Sequence, residues 1–183
     1  MRIIAGEFKG RRLIFPRTKD VRPAMDKVRG SIFNVLGEVV ENAEVLDIFA
    51  GCGSLGFEAL SRGAHSATFV EINKSAIHSI RENSNLLNVE GKIEIVSKPA
   101  ITAIPLLQHM GKQFNIIFID PPYDRDFLRK TLSRIIEFDI LRPFGWIIME
   151  HSKREVPEET GEYRIVKQNK FGSTHLTFLF RRA

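Results

Sequence analysis

Ile116-Ile117-Phe118-Ile119-Asp120-Pro121-Pro122-Tyr123 opens as a wholly apolar strand and stops in a carboxylate, two prolines and an aromatic ring. Apolar runs without polar alternation suit strands covered on both faces, as in a parallel sheet flanked by helices. Proline cannot donate to the ladder and fixes its own φ, so the sheet must end here. The carboxylate and the carbonyls before proline can accept hydrogen bonds, and the ring offers a flat face for a planar group. The plain alternative is a strand-to-helix turn with an acidic start.

Around this stretch, the chain from Glu44 onward alternates strands and helices. Before it come a strand at Val45 to Phe49, a short helix at Gly56 to Arg62, a strand at Ala67 to Glu71, and a helix from Lys74 to about Leu87. A strand at Ile93 to Val96 and a helix at Ala100 to Met110 lead into the fourth strand, Phe114 to Ile119. After it come a helix from Asp126 to Phe138, a strand around Trp146 to Glu150, and closing strands near Tyr163 to Lys167 and Thr174 to Phe180. The Asn169 to Ser173 connection is too short for a crossover, so the last two strands form an antiparallel hairpin. The pattern predicts a doubly wound α/β domain over residues 44–183, with a mostly parallel seven-stranded sheet.

Residues 1–43 read as a basic extension of hairpin, loop and helix. Arg2 to Gly6 and Arg11 to Phe15 flank Glu7-Phe8-Lys9-Gly10 as a β-hairpin, and Pro16 to Pro23 reads as an exposed loop. Asp26 starts a helix through Leu36 with Val28, Ile32, Val35 and Leu36 on one face and Lys27 with Arg29 outside it. Gly30 weakens that helix by about 1 kcal/mol relative to alanine.

The 183 residues fit one domain large enough to bury a core without disulfides or metal. No apolar run approaches a membrane span and no charged-then-apolar leader follows Met1, so a cytoplasmic protein is expected. Cys52 is the single cysteine, and the five histidines lack metal-ligand spacing, so no metal and no membrane partner are expected. The net charge of +5 is unevenly placed: residues 1–30 hold nine Lys or Arg against three acids, while the remainder holds 18 against 19. A localised basic patch is the footprint of a polyanion, here a nucleic acid. Arg11, Arg12, Arg17, Lys19, Arg22 and Arg29 are the candidate phosphate contacts. A solvated basic face is the alternative.

In a doubly wound sheet, ligands bind beyond the carboxyl ends of the strands. Three such ends carry acids. The first is Asp47 in Asp47-Ile48-Phe49-Ala50-Gly51-Cys52-Gly53-Ser54-Leu55-Gly56, where glycines let backbone N–H groups approach a ligand. The second is Glu71 with Ile72, twenty-four positions on, where a carboxylate can accept ribose hydroxyls. Asp120 is the third. NAD and S-adenosylmethionine sites both begin this way. A nicotinamide enzyme needs a hydride site and usually a second domain, whereas methyl transfer needs only an acceptor clamp, which Asp120 to Tyr123 supplies.

The chain resembles the RsmD family of bacterial small-subunit (16S) ribosomal RNA guanine-N2 methyltransferases. The resemblance rests on Arg2-Ile3-Ile4-Ala5-Gly6, Arg22-Pro23, Asp26 with Val28-Arg29, Asp47 to Gly51, Glu71, Asp120 to Tyr123, and Gly172 with Thr174. It implies a Rossmann-like class I S-adenosylmethionine-dependent methyltransferase fold, with ribosomal RNA or a small-subunit assembly intermediate as partner. It also implies catalytic Asp120, Pro121, Pro122 and Tyr123, and cofactor contacts at Asp47, Phe49, Ala50, Gly51, Gly53, Glu71 and Ile72. Two positions depart from the family: Ala24 replaces a threonine, and Ser97-Lys98-Pro99-Ala100 lacks the usual acid, so adenine recognition falls to backbone near 98–100. The rival readings are a DNA adenine-N6 methyltransferase, a non-catalytic RNA-binding assembly factor and a dinucleotide oxidoreductase.

Overall fold

A computed structural model describes residues 1–16, 26–122 and 126–183. Its elements are α1 (Asp26–Leu36), β1 (Glu44–Ile48), α2 (Ser54–Ser61), β2 (Ser66–Val70), α3 (Lys74–Leu87), β3 (Ile93–Val96), α4 (Ala100–His109), β4 (Phe114–Ile119), α5 (Phe127–Glu137), β5 (Leu141–Ser152), β6 (Tyr163–Phe171) and β7 (Thr174–Arg181). The sheet runs β3-β2-β1-β4-β5-β7-β6, with β1 to β5 parallel and β7 antiparallel to both neighbours. The expected doubly wound, seven-stranded sheet with an antiparallel C-terminal hairpin is therefore present.

The β4 sequence explains its central place. Ile116 and Phe118 enter one core with α1, α2 and the N-terminal arm, while Ile117 and Ile119 enter the other with α4 and α5. A strand buried on both faces needs apolar residues at every position. Chain order reverses between β1 and β4, which opens a crevice at their carboxyl ends. Gly56 lets α2 lie close to the sheet: a Cβ there would come 2.3 Å from Phe69 Cε1.

The N-terminal hairpin survives as a single antiparallel bridge, Arg2 to Arg12, with Ile3 N–H donating to the Arg11 carbonyl. The arm is pinned to α2 and not free in solvent. Both carboxylate oxygens of buried Glu58 accept from the arm, from Ile4 N–H at 2.8 Å and Ala5 N–H at 3.1 Å. Gly6 sits so close to α2 that a Cβ would meet the Ser61 carbonyl at 1.8 Å. Ile3, Leu13, Val28, Ile32 and Phe33 share their core with Phe57 and Phe118 of the sheet domain.

Candidate active site

The loop after β1 makes a tight turn, with Phe49, Gly51 and Gly53 at φ of 65°, 57° and 81°. A left-handed phenylalanine is costly and marks a constrained site. The Phe49 ring lies 5.9 Å from that of Phe127, at the start of α5. Glu71 braces this loop from the end of β2. Its Oε2 accepts the Gly51 N–H at 2.8 Å, and its Oε1 accepts those of Ile72 and Asn73, each at 2.8 Å. Oε2 thus keeps acceptor capacity for a hydroxyl. Ile72 is 62 % exposed and offers an apolar surface beside it.

Asp47 and Gly53 act beneath the loop. Asp47 is 2 % exposed and accepts the Gly56 N–H at 3.0 Å, so it anchors the start of α2. Burial pushes its carboxyl up to about 8, with the Gly56 N–H opposing and the Glu71 charge adding to the rise. Gly53 is buried and gives its N–H to the Ala50 carbonyl at 2.8 Å. Ala50 is buried beside it, and Gly51 is half-open. Burial, then the Asp47 charge, pushes the Cys52 thiol up to about 12, so it is inert as a nucleophile.

Asp120 stands half-buried just past β4, followed by buried Pro121 and exposed Pro122. Burial of its carboxyl, then the charges of Glu150 and Asp47, hold it well above the usual carboxylate range. Glu150, on β5, neighbours it because Ile119 pairs with Met149 one residue earlier. The sequence reading missed Glu150, although Ile147-Ile148-Met149-Glu150 repeats the pattern of an apolar strand ending in an acid.

At the end of β3, α4 begins after Pro99 with no side-chain cap; the Thr102 N–H donates to the Pro99 carbonyl at 3.0 Å, which leaves those of Ala100 and Ile101 to meet a ligand. These residues fit a nucleoside carrying a cation: carboxylates for the charge and hydroxyls, an apolar surface at Ile72, and free N–H groups at α4. Among the described residues, no group of His, Cys, Asp or Glu is arranged to hold a metal ion, and no helix is long and apolar enough to cross a membrane.

Among the basic candidates, Arg11 and Arg12 are exposed on the arm. Arg29 is a correction. It is 1 % exposed, and its guanidinium donates to the Arg2 carbonyl at 2.5 Å and to Asp26 at 3.0 Å, so it ties the arm to α1 and has no surface for phosphate. Spacing explains this, since Arg29 falls one turn from Ile32 and Phe33 and two turns from Leu36, on the buried face. Arg17, Lys19, Arg22, Ala24 and Tyr123 lie outside the described residues, as does most of the loop expected at Pro16 to Pro23.

Residues 1–180 match the family model described as "Conserved hypothetical protein 95". The chain belongs to this family. It is 37 % identical over 150 residues to the Ribosomal RNA small subunit methyltransferase D of Escherichia coli K12, covering 82 % of this chain and 71 % of that protein. It is 34 % identical over 154 residues to the protein of the same name from Haemophilus influenzae, covering 84 % of this chain and 79 % of that one. The solved structure of Escherichia coli yhhF superposes with a TM-score of 0.88 at 30 % identity, covering 100 % of this chain and 98 % of that one. The family, like the class I methyltransferase sheet, is the one that the sequence resemblance implies.

Proposed function

We propose that the protein transfers a methyl group from S-adenosylmethionine to the exocyclic N2 amine of a guanine in small-subunit (16S) ribosomal RNA. The observation that carries this reading is Asp120 at the switch point of the sheet, one strand from the Glu71-braced glycine loop. The names of the relatives support ribosomal RNA as the substrate. Such a substrate places the protein's work in the cytoplasm, on RNA or on an assembling small subunit.

S-adenosylmethionine supplies an electrophilic methyl group on a sulfonium. Glu71 would accept the ribose hydroxyls, Ile72 would lie against the adenine, and backbone N–H groups at the start of α4 would serve where Ser97-Lys98-Pro99-Ala100 offers no acid. The chain's own work is then orientation. The Asp120 carboxylate and the Pro121 carbonyl accept hydrogen bonds from the guanine amine, which turns its lone pair toward the methyl group. Holding nitrogen, carbon and sulfur in line can contribute on the order of 7–11 kcal/mol. Asp120 also stabilises the positive charge that develops on nitrogen, and then takes up the proton that the methylated amine releases. Tyr123 stacks on the base, which must be unpaired or flipped out to reach the site.

Small subunits from cells lacking the protein test this reading. Incubated with the protein and tritiated S-adenosylmethionine, their 16S RNA should yield labelled N2-methylguanosine on digestion. Label that appears only as N6-methyladenine in added DNA would overturn it.

A further inference from the structure

A groove of about 510 Å³ runs between α1 and β6, outside the cofactor site. Lys27, Gly30 and Asn34 line it from the helix, and Lys167 and Phe171 from the strand. The register of the sheet ties this groove to the catalytic end. Asp120 lies beside Glu150, Glu150 pairs with Leu176, and Leu176 pairs with Asn169, so the four stand in one row across β4, β5, β7 and β6. Asn169 closes the row by donating to Ser31 of α1 at 2.8 Å. Lys167 and Phe171 flank Asn169 at a spacing of two and project to the same face. Three strand spacings, about 14 Å, separate this row's end from Asp120.

The lining chemistry favours a nucleic acid strand. Among the described residues, neither Lys27 nor Lys167 has an ion-pair partner, and both are exposed on opposite walls. Two unneutralised cations across a groove suit a polyanion, and the half-buried Phe171 ring adds a surface on which a base can stack. Lysines on an edge strand also discourage sheet-to-sheet pairing. That role accounts for Lys170 equally well, but not for a matching lysine on α1.

The geometry points to this groove as a track for the phosphodiester backbone of the unpaired RNA segment that leads to the target base, with Lys27 and Lys167 as phosphate contacts. The inference rests on the RNA-methyltransferase reading and adds to it the path of the substrate. Contacts of this kind set affinity and register more than base choice.

Gly30 allows a test that spares the fold. A Cβ there meets nothing within 4 Å, and glycine is a poor helix former, so Gly30→Glu should leave α1 intact while placing a carboxylate in the groove. Binding is measured with small subunits from cells lacking the protein and with the 16S RNA extracted from them. Gly30→Glu and the pair Lys27→Ala with Lys167→Ala should each weaken binding roughly tenfold. The lysine pair should also flatten the slope of log K against log salt by about 2. S-adenosylmethionine affinity and the identity of the methylated nucleoside should not change. Lys92→Ala, on the opposite rim before β3, is the control for net charge and should leave binding within about twofold of wild type. Groove variants that bind as tightly as wild type would overturn the groove and spare the methyltransferase reading. An equal loss in Lys92→Ala would overturn it in favour of general charge. A wild-type protein that binds neither substrate would overturn the reading and the groove together.

Discussion

At the scale of single residues, the site is a set of acids whose charges are felt by one another. Asp120 is raised by burial and by Glu150 and Asp47, so it ionises late as pH rises. An amine clamp needs the ionised form, because a protonated carboxyl has lost acceptor capacity. Methyl transfer is therefore expected to rise with pH through the Asp120 ionisation. Glu150→Gln removes a like charge, which lowers that pKa, and so should move the acid limb of the pH–rate profile to lower pH. An acid limb that stays in place would separate Glu150 from the acceptor site. Arg29 acts on the fold and not on the substrate. Its guanidinium bridges the arm and α1, so Arg29→Ala should cost on the order of 2 kcal/mol of stability in urea unfolding and leave the salt slope of RNA binding unchanged. A full-stability variant with a shallower slope would return Arg29 to the phosphate-binding set.

At the scale of elements, what could be read from the sequence depended on how local the cause is. β4 and the glycine loop are legible because burial on both faces and a tight turn each demand particular residue types at consecutive positions. α1 is legible as a helix but not in its phase at Arg29, since composition puts a charge outside while spacing puts it inside. β5 begins at Leu141, five residues before the expected Trp146; Pro143 and Gly145 are poor strand residues and hide the earlier start. The structure instead carries the strand through an irregularity opposite Phe114 and Ile116, with Phe144 at φ 60°. β6 runs four residues beyond Lys167 to Phe171, and its polar Gln168-Asn169-Lys170 hides it from a hydrophobic pattern because an edge strand is half solvated. The docking of the arm onto α2 has no local cause at all, since Glu58 is fifty-four positions from Ile4. Glu58→Ala would leave two arm N–H groups and Arg62 without their acceptor, and should lower stability by on the order of 3 kcal/mol in thermal or urea unfolding. An unchanged midpoint would mean that the arm is held by its apolar residues alone.

For the whole molecule, one face of the sheet carries the arm, α1 and the groove, and Asp120 lies at its carboxyl rim. Among the described residues, the arm that carries Arg11 and Arg12 and the helix that carries Lys27 are therefore joined through a shared core to β4, the strand that leads to Asp120. Arg11 and Arg12 are exposed on that arm, so Arg11→Ala with Arg12→Ala should reduce the salt slope of RNA binding by about 2 and leave cofactor affinity alone. An unchanged slope would place the RNA elsewhere. If the end of β4 is the acceptor clamp of a methyl-transfer site, Asp120 is the residue whose loss should suppress transfer and spare the cofactor. Single-turnover methyl transfer to small subunits should fall roughly 100- to 1,000-fold in Asp120→Ala. In the same variant, calorimetric affinity for S-adenosylmethionine should hold within about threefold, less than 1 kcal/mol. Wild-type transfer by Asp120→Ala would contradict the clamp.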